Sequence, residues 1–135
     1  MALQYSVTVR NAQLDAVETT VGTAPLLRIY SGSAPANCAA AASGTLLAEA
    51  TLPSDWMAAA SSGSKALSGT WQDASANATG TAGHWRLYES GGTTCHAQGT
   101  VTATGGGGDM TLDNTSIASA QSVTITSFTI TAGNA

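Results

Sequence analysis

Four consecutive glycines, Gly105 to Gly108, followed by Asp109, are the place in this 135-residue chain where phosphate chemistry could be sought. A glycine-rich loop holds phosphate when its amides converge on the ligand at a helix N-terminus and a lysine completes the cradle. Here Asp109 stands where the lysine would be, and its charge repels phosphate. The following "MTLDN" has the composition of a strand, not of a helix start. A dinucleotide fold would also need a βαβ unit, and none is legible. The glycines therefore read as a flexible connection between strands.

Cys38 and Cys95 are the cysteines of the chain, and His84 and His96 its histidines. A zinc site usually takes four ligands in paired short spacings, whereas Cys38 and His84 each stand alone. Cys95 and His96 are adjacent, and neighbours on a strand point to opposite faces, so they are not expected to meet as a catalytic pair. Cys95 is expected to be buried, or bonded to Cys38, with His96 a polar surface residue. The eight acidic residues are scattered. "DMTLDN" lacks the Asp-x-Asp-x-Asp-Gly order of a calcium loop. Asn77 and Asn114 begin glycosylation acceptor triplets, but no secretory signal accompanies them. Trp56, Trp71 and Trp85 would suit either a sugar-stacking platform or a core, and in a chain with three Trp, three Tyr and one Phe the core has the first claim on them. No catalytic residue, metal ligand or cofactor-binding residue is assigned, and an enzyme is not expected.

The composition narrows the partners. Hydrophobic residues make up 43% and charged residues 9%, and the net charge is −4. The charged share of an ordinary domain is about 25%. Arg10, Arg28, Lys65 and Arg86 are the permanent cations. Four scattered cations form no basic stripe, so neither nucleic acid nor an anionic membrane surface is expected as a partner. The start "MALQYSVTVRNAQ" shows no basic segment followed by an apolar one, and no apolar run approaches the roughly 18 residues of a membrane span. Synthesis in a cytoplasm as a soluble protein is the expectation.

The elements that must position these residues divide at Gly22. Between Ser6 and Val21 the apolar residues Val7, Leu14, Val17 and Val21 follow a helical rhythm, interrupted by Arg10 on the same stripe. Ser6 is a plausible N-cap and Gly22 a plausible stop; a short strand in "SVTV" is the alternative. After Gly22 the period becomes two. "LLRIYSG" sets Leu27 and Ile29 against Arg28 and Tyr30. "TLLAEATLP" sets Leu46, Ala48, Ala50 and Leu52 against Leu47, Glu49 and Thr51. "GHWRLYESGG" sets Trp85 and Leu87 against Arg86 and Tyr88. "HAQGTVTAT", "DMTLDN" and "SVTITSFTIT" complete a set of short Thr- and Val-rich strands separated by Gly, Ser and Asn. The fold class expected is mainly β, an antiparallel sandwich or jelly-roll-like domain over 23–135, with residues 1–22 a helical segment. Ser54 is a candidate cap for a short helix through "DWMAAA". In the last strand Val123 and Ile125 fall on one face and Phe128 and Ile130 on the other. A bulge near Thr126–Ser127 would reunite them, and burial on both faces is the alternative.

A weak internal echo links "RIYSGSAPANC", Arg28 to Cys38, with "RLYESGGTTC", Arg86 to Cys95. If the two strands are neighbours, the cysteines fall at matching ends and lie close together. They would then be a disulfide or a near pair; two unrelated buried thiols are the remaining alternative. A bond would close a loop of about 57 residues, for which the chain-entropy model gives roughly 4 kcal/mol less any strain.

The opening "RNAQLDAVETTVGTAPLLRIYSGSAPANC", the middle "LPSDWMAAASSGSKALSGTW" and the tail "GTVTATGGGGDMTLDNTSIASAQSVTITSFTITAGNA" resemble small proteins encoded in tailed phages and prophages of proteobacteria. The resemblance covers nearly the whole chain and brings no catalytic motif with it. It implies a virion structural protein made in the host cytoplasm, with head decoration, or cement, as the leading role. The partners implied are the major capsid protein and further copies of this chain. Many weak contacts repeated by symmetry would then act together. The alternative is a carbohydrate- or receptor-binding module of a tail or fibre.

Overall fold

The computed structural model describes residues 3–133. One helix, α1 (Val7–Val21), precedes ten strands: β1 (Leu26–Ser31), β2 (Leu46–Thr51), β3 (Ser64–Ala66), β4 (Trp71–Asp73), β5 (Gly80–Tyr88), β6 (Cys95–Ala103), β7 (Met110–Leu112), β8 (Ser116–Ile117), β9 (Val123–Ile125) and β10 (Thr129–Thr131). The protein is mainly β with one N-terminal helix. The main sheet has the order β2-β1-β5-β6-β7, with β8 pairing onto β5. Two small ladders, β3 with β10 and β4 with β9, complete the fold.

The helix starts and stops where its caps stand. The Ser6 hydroxyl accepts from Val9 N at 3.2 Å. Gly22 takes φ +90° and donates its amide to Glu18 O, a conformation that glycine adopts without steric cost. The stripe is only partly the buried face, however. Only Leu14 and Val21 of α1 are buried, while Val7 and Val17 face solvent. Arg10, which interrupts the apolar stripe, lies on the docking side and donates to Ala132 O.

Three bulges bend the main sheet. In β2, Ala48 pairs with Ile29 and Leu46 with Tyr30, leaving Leu47 as the extra residue. The alternation expected in "TLLAEATLP" is corrected there: Leu47 turns into the core at 0% exposure, and Leu46 is only half-buried. In β5 the extra residue is Gly83, between partners of Tyr30 and Ser31. In β6 it is His96, since Leu87 pairs with Ala97 and Tyr88 with Cys95. Each bulge raises the local twist, and together they curl the sheet.

The antiparallel expectation fails at one edge. β7 runs parallel to β6, with Val101 opposite Met110 and Ala103 opposite Leu112. Parallel neighbours normally need a long crossover. Here the overlap is three residues, so the chain has only to double back and resume its direction. Thr104 to Asp109 make that return, with Gly105 at φ +87° and Gly107 at φ +80°.

Two further expectations are corrected. "DWMAAA" forms no helix: Met57 bridges Leu67, and Ala58 N donates to Ala66 O. Trp56 and Met57 are both buried. The last strand is neither bulged nor continuous. It breaks at Thr126–Phe128 into β9, which pairs with β4, and β10, which pairs with β3. The break delivers Val123, Ile125 and Phe128 to one core.

That core lies between the inner face of the main sheet and the two small ladders. Trp71 packs against Trp56 and Phe128 with ring centroids 5.9 and 5.4 Å apart, and Phe128 meets Trp85 edge-on at 5.3 Å. The three tryptophans are thus core anchors, 1–5% exposed, and they form no open stacking platform.

Candidate functional site

Amides of the glycine loop are committed to the protein's own oxygens. Gly106 N donates to Ala103 O, and Gly108 N donates to the Thr102 hydroxyl at 3.0 Å. Asp109 closes the loop onto β6. Its N donates to Thr100 Oγ1, and its Oδ2 accepts from Thr100 N and Oγ1 at 3.0 and 3.2 Å. These amides are turned inward to the protein, and a carboxylate stands at the mouth. The arrangement builds a strand connection, not a phosphate cradle.

The cysteines are brought together, though not by the route the echo suggested. β1 and β5 are neighbours, with Arg28 directly opposite Arg86. They are antiparallel, so the residue after one strand lies at the opposite end from the residue after the other. Cys38 reaches Cys95 only because the segment from Gly32 to Thr45 crosses the outer face of the sheet. It is held there by polar contacts. His84 Nδ1 lies 2.8 Å from Gly32 O, Gln98 Nε2 donates to Pro35 O at 2.6 Å, and Arg86 Nη2 donates to Cys38 O and Ala40 O at 2.8 and 2.9 Å. The His96 bulge does the rest. Unbroken alternation from Gln98 would put Cys95 on the core face, whereas the extra residue returns it to the face of Tyr88 and Arg86. The two sulfurs stand 2.7 Å apart as free thiols. Burial, and then the neighbouring Cys95, push the Cys38 thiol up to about 11.

Under that segment lies a polar layer. Arg28 Nε donates to Glu49 Oε2 at 2.6 Å, and its guanidinium stands 4.5 Å over the Tyr88 ring. Arg86 approaches the same ring at 5.6 Å, and Tyr30 stacks on His84 at 5.2 Å. Strand pairing sets the two like charges opposite each other, and both draw on the face of the same ring. His84 and Arg86 are buried, and His84 Nε2, Arg86 Nε and Gln98 Oε1 have no partner. Among the described residues no group of three or more His, Cys, Asp and Glu is placed to hold a metal ion.

The helix supplies a different kind of surface. Its inner side is a ladder of polar contacts to the segment from Met57 to Lys65. Asn11, Asp15 and Glu18 accept from the amides of Gly63, Ala60 and Met57 at 2.9, 3.2 and 3.4 Å. Three amides spaced three apart thus meet three side chains on one helix face, covering a backbone edge that would otherwise be open. Lys65, 2% exposed, adds contacts to Asp15 and Glu18 at 2.6 and 2.8 Å. Its ammonium, then the Ala60 amide, hold the Asp15 carboxyl below the usual carboxylate range. Burial disfavours the charge on Lys65, but the two carboxylates outweigh it and raise its pKa. The exposed residues of the helix include apolar ones beside Thr8, Gln13, Thr19 and Thr20. Leu3, Tyr5, Val7, Val9 and Val17, from 69% to 36% exposed, are the large hydrophobic side chains exposed among the described residues, and all lie in this segment. Beside Val17 a shallow groove of about 280 Å³ runs along Gln13, Ala16 and Thr20 to His96.

No described helix is long and apolar enough to cross a membrane. No family model matches the chain, and comparison with curated proteins and with solved structures finds no match either.

Proposed function

We propose that the protein is a non-enzymatic structural component of a phage particle, a decoration or cement protein that packs against the major capsid protein and against copies of itself. The single observation that carries the proposal is the gathering of the exposed large apolar side chains onto the N-terminal segment and α1. An apolar patch concentrated on one element marks an interaction surface. The same helix is fixed to the body through carboxylates and amides, which leaves its apolar residues free for a neighbour. The resemblance of the chain to small phage proteins supplies the particle, and the wrapped ladders are read as a jelly-roll-like sandwich suited to a coat. The test is binding to capsids stripped of the protein, together with sedimentation of the protein alone. Saturable binding abolished by Val9→Asp with Val17→Asp is the expected result. A protein that stays monomeric at high concentration and ignores such capsids would end this reading.

A second reading, a carbohydrate- or receptor-binding module of a tail or fibre, draws on one feature. Trp56 Nε1 donates to Gly22 O and Trp71 Nε1 to Trp56 O, but Trp85 Nε1 has no acceptor. Trp85 borders a groove of about 500 Å³ together with Asp109, Phe128 and Thr129. A glycan array, with the Trp85 indole proton followed by NMR on any hit, decides it. No binding on the array and no shift of that resonance would remove the reading.

A further inference from the structure

We propose that Cys38 and Cys95 are a reversible redox clasp that locks the segment from Gly32 to Thr45 over the polar layer of the main sheet. The inference does not depend on the particle reading; it rests on three observations. First, the sulfurs are 2.7 Å apart although the residues are 57 apart in sequence. One comes from an irregular segment and the other from the first residue of β6, so a bond between them ties a cover to its sheet. Second, the cover is otherwise held largely by hydrogen bonds from His84, Arg86 and Gln98 to its carbonyls. The layer beneath still holds unpartnered polar atoms on those same three residues. Buried polar atoms without partners favour any opening that lets water in. The reduced cover is therefore the part of the molecule that opens, and a bond is what would keep it shut. Third, the chemistry of the site favours oxidation over metal capture. Arg86 places a permanent cation beside the thiols, with its Nη2 on the Cys38 carbonyl, and no third ligand joins the two sulfurs among the described residues. A guanidinium repels a metal ion, and it offsets part of the upward shift that burial and Cys95 impose on the Cys38 thiol.

The oxidant is a small disulfide of the glutathione class. One cysteine thiolate attacks it, forming a protein–glutathione mixed disulfide and releasing one glutathione thiolate. The second cysteine, already in contact, loses its proton and attacks the protein sulfur of that adduct, releasing the second glutathione thiolate. Both protons end on the two glutathiones. The protein gives up two electrons and two hydrogens, and oxidised glutathione becomes two reduced molecules. In a reducing cytoplasm the equilibrium favours the open-capable dithiol, and outside the cell it favours the clasp.

The test uses the full chain, first reduced and then equilibrated with oxidised glutathione. In denaturant the thiol count should fall from two to none. The intact mass should lose two hydrogens and carry no glutathione, and the chain should remain a single unlinked polypeptide on a non-reducing gel. Limited proteolysis within residues 33–44 should slow by about tenfold on oxidation and recover with reductant. Cys38→Ser and Cys95→Ser should each retain one glutathione and lose the protection. Stable adducts on the unsubstituted protein, bonds between chains, or equal cleavage of the reduced and oxidised forms would overturn the proposal. The comparison of two redox states of one protein stands even if a serine variant fails to fold.

Discussion

At Lys65 a buried ammonium faces two carboxylates of α1. Asp15 titrates below the usual carboxylate range when the helix is docked and within it when undocked. The undocked helix therefore takes up a proton more readily, so acid favours release. The Asp15 contribution to docking is intact while the pH stays above the ordinary carboxyl value of about 4 and is lost as the pH falls through the depressed one. Trp56 reports this directly, because its indole N–H donates to Gly22 O at the end of α1; its fluorescence is expected to change in that acid window before the far-UV β signal does. Lys65→Met is expected to destabilise the protein by about 1–3 kcal/mol in urea denaturation. That is less than for a sealed pair, because the carboxylates keep some access to water. Cys38 gives the opposite sign. Its thiol is raised from 9.0 to about 11. Between those values the unfolded chain ionises while the folded one stays protonated, so the reduced protein should lose stability as pH rises through that range. The oxidised protein, having no thiol there, should lose less, keeping only the part due to groups such as Tyr30 and Lys65.

At the scale of elements, the glycines and the terminal break decide more than the strand propensities do. Gly83 is the extra residue of the β5 bulge, and a Cβ there would stand 2.2 Å from Gly32 O, a backbone atom that cannot swing aside. Gly83→Ala is expected to cost about 1–3 kcal/mol and to loosen the start of the Gly32–Thr45 cover, visible as faster amide exchange in that segment. Phe128 joins Trp71 and Trp85 across the gap between β9 and β10. Phe128→Ala is expected to cost about 3–5 kcal/mol in a denaturant titration, because it opens a cavity among rings too rigid to fill it. α1, β1 and β5 were legible from caps and alternation. The bulges at Leu47, Gly83 and His96 were not, since a bulge answers to the partner strand and leaves no mark on the local pattern.

For the whole molecule, the distribution of surface types sets what it does in company. The inner side of α1 is committed to the body, and the outer side carries Val7, Val9 and Val17 into solvent. Val9→Asp with Val17→Asp should leave monomer stability within about 0.5 kcal/mol, since both side chains are exposed. The same pair should shift sedimentation toward the monomer and weaken binding to stripped capsids. A pair of variants that unfolds the protein would instead show that these residues face inward.

Composition and local pattern were enough to establish a chain poor in cations, a helix ending at Gly22, a β-rich remainder and glycines that connect strands rather than grip phosphate. Those properties depend on residue type and on neighbours a few positions away. The meeting of Cys38 with Cys95, the polar layer beneath the crossing segment and the carboxylate ladder under α1 depend on residues some 40 to 60 positions apart. The register of the curled sheet decides the first two, because a one-residue slip turns every side chain on a strand to the opposite face, and the docking of α1 on the segment from Met57 to Lys65 decides the third. The His96 bulge is such a slip, and it is why Cys95 faces Cys38 and not the core.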